Sequence, residues 1–399
     1  MSKQIQDAYI VAALRTPVGR RNGVFRHERP DDLLAAVLKG VLARLPAFDP
    51  ARIGDVITGC AMPEAEQGMN VARIGLLLAG LPDSVPGITI NRFCASGLQA
   101  VADAANRIRL GEAEVMIAAG TESMSAMPQI MGNKVSINPA LFEDRERFSI
   151  AYGMGLTAEK VAQQWKIGRE AQDEFALVSH QRALAAIAAG KFDAEIMPVT
   201  TRTAVPGEGG RVHERVAVVE ADEGPRADAS LEALAKLKPV FAARGSVTAG
   251  NSSQMSDGAA AVVLMSEAAL KRFEVEPIAR FASYAVVGVP PQIMGIGPVE
   301  AIPRALAAAG ITQRELGWIE LNEAFAAQAL AVIGELGLDP AKVNPLGGAI
   351  ALGHPLGATG AIRTATLMAA MQHDAALRYG LISMCIGTGM GAAAVFERV

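Results

Sequence analysis

Residues 91–108 read NRFCASGLQAVADAANRI and residues 353–370 read GHPLGATGAIRTATLMAA. Each stretch opens with a turn of glycine and small residues and runs into a helix. The apolar positions are Leu98, Val101, Ala102 and Ala105 in the first and Ala361, Ile362, Ala365 and Ala369 in the second, the spacing of one helical face. Gly97 falls opposite Gly360, 263 residues on. Upstream, DLLAAVLKGVLARLPAFDPARIGDVITG (32–59) meets VEAIPRALAAAGITQRELGWIELN (299–322), with Asp55 opposite Trp318 at the same offset. Downstream, VMIAAGT (115–121) is answered by GLISMCIGT (380–388), 265 residues on. The register then breaks, because Met390–Val395 matches Asp257–Val262 only 133 residues back. A duplicated chain explains this if the first copy carries an insertion of about 130 residues before its last strand.

The short runs Tyr9–Ala12, Val56–Thr58 and Val115–Ala118 alternate with Ala/Leu-rich helical stretches such as Leu33–Leu45. That alternation predicts an α/β fold with sheets covered by helices. The expected division is one half from 1–123 and 251–272, an inserted segment at 124–250, and a second half at 273–399. Composition shifts within the insertion, which holds the charged stretch Glu143–Arg147, a Gly/Pro-rich turn at Pro206–Gly210 and an acidic run at Glu220–Glu223.

The 399 residues are 51% hydrophobic and 20% charged with a net charge of -4, which excludes a disordered chain and a general nucleic-acid footprint. No uncharged apolar run reaches the ~18 residues of a membrane helix. The opening MSKQIQDAYIVAALRTP has no long apolar stretch behind a basic head, so no signal peptide is expected. Three cysteines at 60, 94 and 385, with no CxxC spacing, predict a reducing, cytoplasmic setting.

Cys94 sits between strand-like Ile88–Ile90 and a helix, where unpaired backbone N–H groups and the helix dipole favour a thiolate; a buried packing thiol is the alternative. His354 lies at the tip of the Gly-rich loop Gly347–Gly357, suited to a base held against a substrate. Because the duplication puts Cys94 and His354 in equivalent loops, the two would converge on one site if the halves pack by pseudo-two-fold symmetry. Cys385 ends a buried-type run ahead of Gly387, Gly389 and Gly391, a spacing that lets backbone approach a ligand closely. Asn322-Glu323 closes another strand, and a polar pair there points to function rather than packing. Cys60 reads as structural, and His27, His180, His213 and His373 as surface residues. The Met-rich stretch 123–131 reads as packing. Arg226 and Lys236–Lys238 are either phosphate contacts or solvated charges.

Together these motifs resemble the thiolase family over essentially the whole chain. NRFCASGLQA is similar to its nucleophile motif and LNEAFAAQA to its asparagine motif. GGAIALGHPLGATGA resembles its histidine motif, MCIGTGMGAA its second-cysteine motif and VTAGNSSQMSDGAAA its pantetheine-contact motif. The resemblance implies a duplicated αβαβα fold with an inserted loop domain that binds coenzyme A. It implies that Cys94 is acylated, that His354 activates it, and that Cys385 exchanges a proton with the α-carbon of acetyl-CoA. Asn322 would hold a water that completes, with His354, an oxyanion hole for the enolate; the N–H groups of Cys94 and Gly387 would form a second hole. Ser253 and Ala249 would line the pantetheine, Arg226 and Phe241 the nucleotide end, and Met294, Ala324 and Phe325 the acyl tunnel, with Met154 on the substrate side. No metal and no resident cofactor are implied; coenzyme A and acyl-CoA are substrates, and the assembly is a homodimer or homotetramer.

One departure bears on substrate. Acetoacetyl-specific members usually carry histidine before the Met-Gly of the loop-domain motif, whereas this chain has Tyr152-Gly153-Met154-Gly155. That favours cleavage of 3-ketoacyl-CoA over the alternative, condensation of two acetyl-CoA to acetoacetyl-CoA. A ketosynthase would need a second histidine motif, and a non-catalytic acyl-CoA binder would be expected to lack one of Cys94, His354 and Cys385.

Overall fold

The computed structural model describes residues 5–126, 137–143, 148–206, 209 and 211–399. The first part of the chain runs β1 (Ala8–Arg15), β2 (Gly19–Arg20), α1 (Pro30–Ala43), β3 (Val56–Gly59), α2 (Val71–Leu78), β4 (Gly87–Ile90), α3 (Ser96–Arg109) and β5 (Val115–Ser123). Then come α4 (Ala140–Glu143), α5 (Met154–Gln164), α6 (Arg169–Ala188), a hairpin of β6 (Val199–Pro206) and β7 (Val212–Val219), and α7 (Leu231–Ala235). β8 (Ser256–Ser266) and α8 (Glu267–Phe273) follow. The remainder is β9 (Ala279–Gly288), α9 (Gly297–Ala309), β10 (Leu316–Leu321), α10 (Ala326–Leu336), α11 (Ala349–Leu352), α12 (Leu356–His373), β11 (Tyr379–Ile386) and β12 (Met390–Arg398).

The main sheet has the order β4-β3-β5-β8-β1-β9-β12-β11-β10, with β2 paired to β8. The order reads as a palindrome about the β1/β9 junction. β5 is parallel to β3 and antiparallel to β8, which is antiparallel to β1. Likewise β11 is parallel to β10 and antiparallel to β12, which is antiparallel to β9. The second copy replaces β4 with one parallel bridge, Ile319 to Val343. Within the sheet the copies pair at two positions, Tyr9 with Arg280 and Ile10 with Ala279, and they also pack together through the central core.

Layering follows from strands that are apolar on both faces, as expected for strands covered by helices on each side. On β5, Met116 and Ala118 face a central core while Val115, Ile117 and Ala119 face an outer one. On β12, Ala392, Ala394 and Phe396 face the central core and Ala393 and Val395 the opposite outer one. The central core is filled by α3 and α12 through Leu98, Val101, Ile108, Leu367, Met368 and Met371. α1 and α2 cover one outer face, and α9 and α10 the other. The result is helix–sheet–helix–sheet–helix, the duplicated αβαβα arrangement expected from the sequence.

α3 and α12 cross where the sequence copies coincide. A methyl group on Gly97 would lie 2.7 Å from the Ala361 nitrogen, and one on Gly360 would lie 2.0 Å from the Leu98 nitrogen. Only glycine allows this backbone approach. The equivalent glycines therefore touch at the pseudo-dyad, and the turns before them, carrying Cys94 and His354, are drawn to one place.

Candidate active site

Cys94 occupies a short 3-10 turn, Phe93–Ala95, between β4 and α3. Phe93 has φ 44°, a left-handed conformation that a bulky residue adopts at a cost of about 1–3 kcal/mol. The turn is braced: the Phe93 N–H donates to Asn91 Oδ1 at 2.8 Å, and the Arg92 N–H donates to Ser96 Oγ at 2.8 Å. Ser96 Oγ in turn donates to the Phe93 carbonyl at 2.7 Å. These local bonds hold the thiol at the C-terminal end of the parallel strands, where α/β sheets place ligands.

Two other strand ends meet it. The backbone N–H of Gly387, just beyond β11, and that of Cys94 itself both donate to the Cys94 sulfur. Cys385 is close enough that charge on Cys94 would oppose its ionisation. Asn322 follows β10, and its N–H donates to the Ser383 carbonyl of β11 at 2.9 Å. Its Nδ2 lies 3.3 Å from His354 Nε2, while its buried Oδ1 has no hydrogen-bond partner. His354 Nδ1 lies 2.7 Å from Thr359 Oγ1. The His354 N–H donates to Ser256 Oγ at 3.1 Å and, at 3.3 Å, to the Gln254 carbonyl. Gly353 before it has φ 95°, and a methyl there would lie 2.5 Å from Ser256 Oγ.

Burial dominates the electrostatics. It pushes the Cys94 thiol up to about 11 despite the two N–H donors that favour the thiolate. The sequence expectation that the helix N-terminus would favour an ionised cysteine is thus outweighed, because desolvation penalises the charge more than the donors stabilise it. Burial, with Cys94 beside it, also drives Cys385 well above its ordinary value. His354 moves the other way, down to about 3, through burial and then the positive Arg363. The free site therefore holds two protonated thiols and a neutral imidazole.

An apolar cluster adjoins the thiols: Met294, Ala324, Phe325, Ala158 and Val247 pack with Cys385, and Met154 packs against them. The Met154 sulfur also approaches Gly387, where a methyl would lie 3.5 Å from it. Phe241 is edge-on to Phe325 with ring centroids 6.1 Å apart. The Ser253 N–H donates to the Ala324 carbonyl at 3.0 Å, which ties the 249–253 stretch to the asparagine loop. Ala249 is exposed at the start of that stretch. Arg226 is not drawn into the cluster: it is exposed, and its guanidinium pairs with Asp228 at 2.8 Å. Lys236 pairs with Glu232, as a solvated charge would. Gly153 is exposed, with no atom within 4 Å of an added methyl.

Glu323 differs from the expectation drawn for the Asn322-Glu323 pair. Its buried carboxylate accepts from Ser179 Oγ at 2.7 Å, Asn344 Nδ2 at 2.8 Å and the Ile350 N–H at 3.2 Å, which braces the histidine loop from behind. His180, read as a surface residue, is buried, and its Nδ1 accepts the Arg226 N–H at 3.2 Å. Residues 127–131 of the Met-rich stretch and 144–147 of the charged stretch lie outside the described residues.

Glu122 at the end of β5 went unread in the sequence. It is fully buried and accepts from the Ala61 N–H at 2.8 Å, the Met62 N–H at 3.2 Å, Gln67 Nε2 at 2.5 Å and the Gly357 N–H at 2.8 Å. One carboxylate thus pins the histidine loop of the second copy to the first. Thr359 and Ser256 were also missed, although both fall inside quoted motifs; only the spatial pairing gives them a role.

Profiles of known families match nearly all of the chain: "Thiolase, N-terminal domain" over residues 8–268 and "Thiolase, C-terminal domain" over residues 275–398. The 3-ketoacyl-CoA thiolase of Bacillus subtilis (strain 168) is 50% identical over 394 residues, covering 98% of this chain and 100% of that enzyme. The dimeric peroxisomal thiolase of Saccharomyces cerevisiae superposes with a TM-score of 0.90 at 40% identity, covering 99% of this chain and 98% of that one. The Bacillus anthracis acetyl-CoA acetyltransferase superposes with a TM-score of 0.89, also at 40% identity, over 100% of both chains.

Proposed function

The chain belongs to the thiolase family, and from that premise we propose that it cleaves 3-ketoacyl-CoA with coenzyme A to acetyl-CoA and a shortened acyl-CoA, as in fatty-acid β-oxidation. The observation that supports this reading is the closeness of Cys94 to Cys385 and the Gly387 N–H, and of Asn322 to His354, on adjoining strand ends beside the helices that cross at Gly97 and Gly360.

His354, neutral at working pH, takes the proton of Cys94, whose sulfur bonds to the 3-keto carbon. The oxyanion so formed is met by the N–H groups of Cys94 and Gly387, fixed donors in a desolvated site. The bond between C2 and C3 then breaks, and its electron pair passes into the enolate of acetyl-CoA. That enolate oxygen is stabilised from the His354 and Asn322 side, and Cys385 gives its proton to C2. In the second half-reaction coenzyme A passes its thiol proton to the Cys385 thiolate and attacks the acyl group on Cys94. Collapse of that intermediate frees the Cys94 sulfur, and the imidazolium returns its proton. Every proton is accounted for by these side chains, and acyl transfer through Cys94 gives ping-pong kinetics.

We assign 1–123 with 251–272 and 273–399 to the two halves and 124–250 to an inserted, CoA-binding loop domain. Ser253 and Ala249 line the pantetheine, Arg226 and Phe241 the nucleotide end, and Met154, Met294, Ala324 and Phe325 the acyl group. Arg226 would have to leave Asp228 to reach a phosphate, an exchange that an exposed ion pair allows at about 0–1 kcal/mol. We place the protein in the cytoplasm on its three unpaired cysteines, and read it as a homo-oligomer after its dimeric yeast relative. A second reading, condensation of two acetyl-CoA, draws on the likeness to the Bacillus anthracis enzyme and uses the same residues in reverse.

Incubation with acetyl-CoA is expected to add one acetyl group to the peptide that contains Cys94, read by mass spectrometry. The adduct should be lost in Cys94→Ser; the same adduct in that variant would overturn the assignment of the nucleophile.

A further inference from the structure

The His354 ring has two side-chain neighbours on its nitrogens, and neither is a carboxylate: Thr359 Oγ1 at Nδ1 and Asn322 Nδ2 at Nε2. Thr359 sits in the first turn of α12, buried, with its hydroxyl turned back onto the imidazole five residues before it. A neutral imidazole carries one N–H, and its partners decide which nitrogen holds it. An amide nitrogen can only donate, so in this arrangement Nε2 is the bare acceptor and Nδ1 the donor to Thr359.

We propose that Thr359 is a positioning residue for His354: its hydroxyl keeps the ring proton on Nδ1 and leaves Nε2 bare toward the site. The assignment rests on the acyl-transfer reading of Cys94 and His354. A carboxylate at this place would stabilise an imidazolium and fix Nδ1–H throughout. A hydroxyl instead carries no charge: with the Asn322 amide nitrogen facing Nε2, it accepts the Nδ1–H and orients the ring without holding it as an imidazolium. Burial and the nearby Arg363 both disfavour the charged ring, so the resting state is chosen between neutral tautomers rather than between charge states. The structure thus supplies a histidine whose Nε2 accepts the thiol proton and then presents it toward an oxyanion, while Nδ1 stays bonded to Thr359.

Thr359→Val keeps the shape and removes the hydroxyl; Thr359→Ser restores it. Ring-nitrogen NMR of the full enzyme labelled with ¹⁵N-histidine, with His354 assigned by its loss in His354→Asn, needs no substrate. The wild type and Thr359→Ser should show a protonated Nδ1 and a bare Nε2, and Thr359→Val a shift of the proton to Nε2. In thiolysis kcat should fall by about 10- to 100-fold in Thr359→Val with KM unchanged, less than the ~100- to 10,000-fold carried by an acid–base group itself, and Thr359→Ser should recover most of it. An unchanged tautomer in Thr359→Val, or failure of serine to restore kcat, would overturn the proposal. Absence of a wild-type Cys94 adduct would overturn the acyl-transfer reading instead, because the tautomer measurement is made without acyl chemistry.

Discussion

Cys94, the nucleophile we propose, is kept protonated in the free protein by burial. Its two N–H donors are worth less to the thiolate than burial costs it, so the same donors are available to an oxyanion once the sulfur is acylated. Cys94, Cys385, His354 and Asn322 were legible in the sequence because each lies in a turn rich in glycine or at a strand end, with chemistry unlike its neighbours. Glu122 and Thr359 were not. Glu122 sits in a strand whose nine residues are all buried, so no alternation marks it, and its partners come from residues 61–67 and 357. Thr359 depends on the helix turning its hydroxyl back to the ring. Gly153 carries a prediction at this scale. If the acyl group passes Gly153, which has no side chain and no atom within 4 Å of an added methyl, thiolysis of a medium-chain 3-ketoacyl-CoA should outpace that of acetoacetyl-CoA in kcat/KM. A strong preference for the four-carbon substrate would reverse the choice between the two proposed reactions.

Among the elements, the crossing of α3 and α12 positions the chemistry. Gly360→Ala would drive a methyl into the backbone of Leu98, and a helix cannot shift there without moving the histidine loop with it. The expected loss is about 1–3 kcal/mol or more in urea unfolding, accompanied by lower acylation of Cys94. Gly334→Ala on α10 is the control: its methyl meets nothing within 4 Å, and the gain in helix propensity should stabilise the fold by about 0.5–1 kcal/mol. Equal midpoints for the two variants would contradict the packing account. The duplication was readable because Gly97 and Gly360 keep a constant offset with the strands around them. The single bridge at Val343, where β4 would be repeated, was not readable, since a lone apolar residue in a loop carries no strand pattern. The β1/β9 junction also left no mark in sequence, because pairing between two apolar strands has no local signature.

Across the whole molecule, a buried ion network ties the segment between β5 and β8 to both copies. Arg15 on β1 donates to Glu195 at 2.5 Å and, in bidentate fashion, to Asp222 at 2.7 and 2.9 Å. Asp222 also accepts the Val18 N–H, and Glu195 accepts from Thr366 on α12. Arg15→Met would strand two buried carboxylates, at an expected cost of about 3–5 kcal/mol in thermal or urea unfolding. Limited proteolysis should then cut near 195–222 first. Adding Glu195→Gln and Asp222→Asn should recover part of the loss; no recovery would mean that the arginine acts by packing alone.

The narrow seam between β1 and β9 has an architectural consequence. So short a strand pairing leaves the alignment of the two copies to the packed layer between the sheets, where Gly97 meets Gly360 three residues from Cys94 and six from His354. The reacting groups thus stand beside the contact that fixes how the copies sit together, and the outer helices lie farthest from it. In this enzyme the keystone of the fold and the seat of the chemistry are neighbours.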